Sequence, residues 1–557
     1  MRRMRMISVS VCAALPALLL TAALAVTAGQ ASAENQSRPA TPAKKLVLNR
    51  DMSKCRLPEG KIEEKAAIYT VFLSRGGGAA GASVKPELFT TNEELLEKLK
   101  SECPGVEFVA RDVTKRGTRV SVTKELEERK GELDGVLLVG VGAGGGRSKD
   151  YSLAFSGLPT IAVYNLFEFM NFPYKLFATG QEKESIPVGG PDYKGGKVLT
   201  AELDRRNLCK PPVSSAMFQD LVYKIKLIQA IKKLKLSRVL VVSPYPIFAV
   251  VDYQGDAHKR MPKDYNKVYT KALKDSLGVE LVIAPPREFF EAYEKTNVRQ
   301  AEKISEKWIK QAKKVEAARS EITKTARAYL ALEALREKYD CNAVSTFMRR
   351  LKPTGKTEDL FWPGLGLECG FKMSGIQAVC QNYPNIVVTE LLAYFLTGRP
   401  SMLGDLIIDR ANSVTILTHC GAPVNPYGDD RIVDYIIKTH AQSPVRNTQK
   451  PGSSTGLQVE WPAGEPVTLW KIYVLHKKIG FYTGKVVNAR SVYDKDRIDN
   501  VLCRTKLVAK VDNARKIQKH FSPDEYGIHR AATLGDLRQV IKDVAVLIGY
   551  STMEEDR

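Results

Sequence analysis

Short apolar runs and helix-period segments alternate along the first two thirds of the chain. IYTVFLS (68–74), VEFVARDV (106–113), GVLLVGVG (135–142) and LPTIAVYN (158–165) have strand length and strand composition, with helical patterns such as NEELLEKLKSE (92–102) between them. That alternation predicts an α/β layer with a largely parallel sheet. A Lys- and Leu-rich helix, FQDLVYKIKLIQAIKKLKL (218–236), leads into a second set: RVLVVSP (238–244), VELVIAP (279–285), one long helical region over 300–339, and NAVSTF (342–347). From about 400 the period changes. DLIIDRANSVTILTHC (405–420), the stretch 456–487 and RTKLVAKV (504–511) read as hairpin-like pairs with Gly and Pro turns, closed by a helix at 533–549. The expected fold is therefore two Rossmann-like α/β domains, 51–212 and 213–396, followed by a β-rich, antiparallel barrel-like C-terminal domain, 397–557.

A length of 557 residues fits this count of cores. The first 33 residues do not belong to any of them. A basic start, an apolar stretch and Ala31-Ser32-Ala33 make a signal peptide, and the polar, proline-bearing 34–50 follows as a linker. No later apolar stretch is long enough to span a bilayer, so the mature chain is expected to be secreted or periplasmic without a transmembrane segment. Export permits disulfides, yet the eight cysteines left after cleavage are scattered and lack a C-x-x-C, which argues against a disulfide scaffold and a zinc ribbon. The net charge of +22 falls to +19 when Arg2, Arg3 and Arg5 leave with the signal peptide. Lys and Arg are spread along helices with Glu between them, the pattern of solvated faces, and no nucleic-acid partner is expected.

Two glycine clusters lie at strand ends. Gly140 to Gly145 fits G-x-G-x-x-G but runs into Arg147, Ser148, Lys149 and Asp150 and then another strand, where a dinucleotide site needs a helix. Arg75-Gly76-Gly77-Gly78 reads as a surface loop. The chain has six histidines, and two stand at strand ends: His419 after SVTILT, and His529 in YGIHR. With Asp405 they form a nitrogen and oxygen set suited to a divalent ion such as manganese. Cys420 follows His419 directly, and strand alternation would turn the two side chains to opposite faces.

The stretch CQNYPNIVVTELLAYFLTGRPSMLGDLIIDRANSVTILTHCGAP (380–423) resembles the L-fucose isomerase and L-arabinose isomerase superfamily. There a Cys-Glu or similar strand end precedes a Thr-bearing helix, a Gly-Arg-Pro turn, an acidic residue and His-Cys. GIHRAATLGDLRQVIKDVAVLIG (527–549) is similar to the family's C-terminal His, Gly-Asp and helix, and 321–345 to its long helix before a middle-domain strand. The resemblance implies two α/β domains, a β-rich third domain, and a sugar cleft between the last two. It also implies a divalent metal, commonly Mn2+, and ene-diol interconversion of aldose and ketose by carboxylates, in a trimer or hexamer.

Carried over by position, Asp405 matches the family aspartate and His529 the histidine, with His419 and Tyr383 facing the sugar. Gln381 stands where the family carries its glutamate. An amide oxygen can coordinate a hard cation but cannot act as a base. Two functions stay open: an exported metal-dependent isomerase with Asp405 and Gln381 as its catalytic positions and Gln381, Asp405 and His529 on the metal, or a non-catalytic carbohydrate-binding protein of the same fold.

Overall fold

The computed structural model describes residues 64–73, 90–113, 118–141, 151–154, 156–165, 196–205, 214–243, 264–347, 364–441, 454–521 and 527–557. The expected signal peptide, the linker and most of both glycine clusters lie outside them.

The first five strands, β1 (Ala66–Phe72), β2 (Val106–Asp112), β3 (Gly135–Val141), β4 (Thr160–Asn165) and β5 (Val198–Leu203), form a parallel sheet in the order β2-β1-β3-β4-β5. This is one of the two common orders of open α/β sheets, with its switch point between β1 and β3. Helix α1 (Asn92–Glu102) starts where the sequence supplies a capping box: Thr91 Oγ1 accepts from the Glu94 N–H at 3.1 Å, and Glu94 Oε2 accepts from the Thr91 N–H at 2.9 Å. Leu95 and Leu99, one helical turn apart, are buried beneath it.

Helix α2 (Ser214–Lys235) packs on β5 and leads to β6 (Arg238–Val242). With β7 (Glu280–Ala284), and after the two-residue β8 (Lys314–Val315), strands β9 (Ala343–Thr346) and β10 (Gln377–Val379) complete a second parallel sheet, ordered β10-β9-β6-β7. The single helix expected over 300–339 is two. Helix α3 (Val298–Gln311) and helix α4 (Arg319–Lys338) are parted by β8, which pairs with β13 (Tyr435–Thr439). Sequence periodicity reads through such a break because both helices keep an apolar face.

The C-terminal part is a closed six-stranded antiparallel barrel. Its strands are β11 (Met402–Asp409), β12 (Val414–His419), β15 (Pro466–Tyr473), β16 (Lys478–Val487), β17 (Thr505–Lys510) and β18 (His529–Leu534). They run β15-β18-β11-β12-β17-β16, and β16 closes the ring by pairing back to β15. Closure removes the free edges that an open sheet would expose. The expected succession of hairpins is corrected at one point: β14 (Thr455–Val459) does not join β15 but pairs with β13, in a separate three-stranded sheet with β8. The first four residues of β16 pair in parallel with β19 (Ser551–Glu554), while its end pairs with β17.

Two helices tie barrel and sheets together. Helix α5 (Pro384–Thr397) begins with a proline at its first turn and ends at Gly398, whose φ of 68° is the left-handed conformation that glycine tolerates. All its residues are buried, and it packs on α2, β10 and β15. Helix α6 (Arg538–Ile548) packs on β5, α2 and β16. One apolar core consequently runs from Ile68 and Leu199 of the first sheet through Val241 of the second to Trp470 and Phe481 of the barrel. Among the described residues no helix is long and apolar enough to cross a membrane.

Candidate functional site

Strand β10 ends at Val379, and the next residues reach the barrel wall. Open parallel sheets meet ligands at the carboxyl ends of their strands. Asn382 fixes this turn. It is fully buried, and its Oδ1 accepts from Ser345 Oγ of β9 at 3.1 Å. The Tyr383 N–H donates to the Gln381 carbonyl at 2.8 Å, and α5 starts one residue later. Gln381 is half-buried; its Oε1 is shielded from solvent and accepts no hydrogen bond.

From the barrel side, Asp405 of β11 and His529 of β18 are paired in register across neighbouring antiparallel strands. Same-register partners point to one face, and the Asp405 Oδ1 lies 2.8 Å from His529 Nε2. The Tyr383 ring covers His529, with centroids 4.0 Å apart and planes at 36°. The Asp405 side chain keeps 32% of its exposure and the His529 side chain 4%, so water reaches this pair from the carboxylate side. Thus the structure joins Asp405, His529 and Tyr383, and places Gln381 two residues before Tyr383 on the same turn.

His419 has sulfurs around it, and the Asp405 charge also acts on it. Cys420 Sγ is 3.4 Å from His419 Nδ1, and Cys380 Sγ is 3.6 Å from Nδ1 and 3.7 Å from Nε2. The two sulfurs are 3.3 Å apart. The expectation that Cys420 and His419 face opposite ways is overturned because β12 ends at His419, so alternation no longer governs the next residue. Scattered spacing in sequence likewise concealed a cysteine pair brought together from β10 and β12.

Behind these groups lies a buried charged triad that sequence reasoning did not single out. Lys372 Nζ is 3.4 Å from Glu368 Oε2 and 3.1 Å from Glu390 Oε2, and it donates to the Ser401 carbonyl at 2.6 Å. Glu368 belongs to a five-residue π-helix (Leu367–Phe371), a local widening that often marks functional sites. A Cβ on Gly421 would come within 3.1 Å of Glu368 Cγ, so the glycine after His419-Cys420 leaves room for this carboxyl. Burial raises both carboxyls, Glu390 to about 8, against the pull of Lys372, which itself is held protonated by the two acids. One ammonium facing two buried acids balances one negative charge, and the second acid keeps its proton.

Burial alone would lower the His419 pKa. Contact with Cys420, and the charges of Asp405 and Glu368, outweigh it and raise the imidazole to about 9. The Cys420 thiol is raised well above its ordinary value, first by its contact with Cys380 and then by burial. It therefore stays a thiol at neutral pH.

The signals for the missed residues were present but ambiguous. Glu368 and Lys372 are spaced i, i+4, which ordinarily marks an exposed helix pair. Glu390 interrupts the apolar run of α5, and a lone acid inside such a run is a sign of a buried partner. Two surface cavities, of about 460 and 430 Å3, lie elsewhere, one beside Trp461 and Arg490 and the other beside Thr90 and Arg205.

No family model matches the chain, and no curated protein matches it. Among solved structures, a solute-binding protein of an ABC transporter from Burkholderia multivorans, holding an unknown ligand interpreted as alpha-D-erythrofuranose, is 9% identical. That likeness covers 51% of this chain and 80% of the other at a TM-score of 0.15. A sugar ABC transporter protein from Yersinia enterocolitica subsp. enterocolitica is 10% identical over 62% of this chain and 82% of the other, at a TM-score of 0.16. Likenesses this slight establish neither a shared fold nor a shared ligand.

Proposed function

We propose that the chain is an exported carbohydrate-binding protein of the L-fucose and L-arabinose isomerase superfamily, which takes a sugar or sugar derivative where the end of β10 faces the barrel. The observation that carries this reading is the Asp405–His529 pair under the Tyr383 ring. The Asp405 carboxylate, which keeps 32% of its exposure, supplies acceptors for vicinal hydroxyls, and the buried His529 under the buried Tyr383 ring holds it in place. Gln381, whose Oε1 has no hydrogen-bond partner, adds a neutral acceptor on the same turn. Secretion or a periplasmic location, and assembly into trimers or hexamers, belong to the same proposal.

The donor set also suits a hard divalent ion. Two cis ligands of an octahedral dication of magnesium size stand about 2.9 Å apart, and the Asp405 and His529 atoms are 2.8 Å apart. Asp405 and His529 would hold Mn2+, with Gln381 as a third, uncharged donor. When bound, the ion would polarise the sugar's carbonyl and hydroxyl oxygens.

Isomerisation is the second reading, and Asp405 is the group that favours it. The reaction needs a base for the α-proton; Gln381 has none to offer, whereas Asp405 is a carboxylate open to solvent. Titrating the full chain with a panel of aldoses, with and without Mn2+, decides between the two. The expected result is saturable binding, weakened by Asp405→Asn, with no ketose formed. Ketose formation that Asp405→Asn abolishes would establish the isomerase instead, and absence of binding to every sugar would overturn both.

A further inference from the structure

We propose that Cys380, His419 and Cys420 form a second, sulfur-rich site that binds Zn2+ with three protein ligands and an open fourth position. It is independent of the sugar-site reading. Among the described residues these three make the one group of His, Cys, Asp and Glu side chains whose ligand atoms all lie within 4.8 Å of one another.

The spacings fit the ion. With zinc–sulfur bonds of about 2.3 Å and zinc–nitrogen bonds of about 2.0 Å, tetrahedral geometry puts two sulfurs about 3.8 Å apart and a sulfur and a nitrogen about 3.5 Å apart. Nδ1 of His419 stands 3.4 Å from Cys420 Sγ and 3.6 Å from Cys380 Sγ, already at the required edges. Only the sulfur pair, at 3.3 Å, has to open, by about half an ångström. Cys380, half-buried at the end of β10, can make that adjustment, while His419 and Cys420 are held in the barrel wall. Cys380 also gives the ion its entry.

The chemistry separates this site from the Asp405–His529 pair. Thiolates select borderline and soft ions such as Zn2+, and carboxylate with amide oxygen suits Mn2+. As each sulfur–zinc bond forms, the thiol loses its proton to solvent, and the His419 imidazolium must likewise give up the proton on its ligating nitrogen, so zinc uptake at neutral pH releases protons from all three ligands. Two protein thiolates, one imidazole and a vacant position match the donor set of catalytic rather than structural zinc centres.

The test uses the reduced full chain. One equivalent of Zn2+ should bind with release of protons in weakly buffered solution, and Co2+ in its place should give the intense absorption of tetrahedral thiolate coordination. Cys380→Ser, on the more exposed ligand, should weaken zinc by at least about tenfold, since even outer-shell changes cost that much. Cys503→Ser should leave affinity unchanged. A pale, octahedral cobalt spectrum, or zinc affinity indifferent to Cys380→Ser in a protein of unaltered circular dichroism, would overturn the assignment. So would a Cys380–Cys420 disulfide that forms in air despite excess zinc.

Discussion

Gln381 puts an amide dipole, not a charge, on the turn before Tyr383. If this turn belongs to the proposed metal site, introducing an acid there by Gln381→Glu should tighten Mn2+ binding, because a second carboxylate adds coulombic attraction at short range. Calorimetric titration of both proteins measures it, and equal affinities would remove Gln381 from the site. Asp405 and His529 were picked out from the sequence as polar residues beside glycines near strand edges, and the structure pairs them in register across β11 and β18. Cys380 was not picked out, since nothing in a one-dimensional spacing tells that the end of β10 returns to the end of β12. His419 was found for its position and assigned to the sugar; Cys380 and Cys420 stand beside it, and the charges of Asp405 and Glu368 act on it as well.

Helix α5 carries an acid that its surroundings do not want ionised. Glu390 is fully buried, and its pKa of about 8 lies well above that of the unfolded chain. Between the two values the folded state holds a proton that the unfolded state has lost. The stability this group contributes is present at acidic pH and falls as pH rises towards and through 8. Urea midpoints of the wild type should therefore drop between pH 6 and pH 9, and Glu390→Gln should flatten that drop; parallel profiles would assign the change to other groups. Removing the cation instead, by Lys372→Met, leaves two buried acids unneutralised and should cost about 3 to 5 kcal/mol at pH 8 in the same measurement. The elements themselves were largely readable. Helix α1 runs over 92–102 as its pattern indicates, and β1 to β4 fall on the apolar runs. The break between α3 and α4 was hidden because it is imposed from outside, by the pairing of β8 with β13.

For the whole molecule, the decisive event is closure of the barrel, and that depends on strands distant in sequence. Hairpins β11–β12 and β15–β16 are local and could be anticipated; the β18–β11 and β16–β17 pairings have no short-range signature. A buried pair, Arg530 on β18 and Glu555 just past β19, pins the seam: Nη2 and Oε1 are 3.3 Å apart, with the Tyr473 and Phe521 rings against the guanidinium. Glu555→Gln leaves the arginine buried without its counter-charge and should destabilise the chain by about 3 to 5 kcal/mol, read by chemical denaturation. A change within about half a kcal/mol would mean that water or another acid replaces Glu555.

Asp405 and His529 belong to two neighbouring staves of the barrel, β11 and β18, that lie far apart in sequence. Any molecule gripping both of them acts as a clasp, and the free energy of its grip is added to that of the closed ring. Binding should slow amide exchange along β11 and β18 more than in the first sheet, so that occupancy of the site becomes legible as the tightness of a hoop.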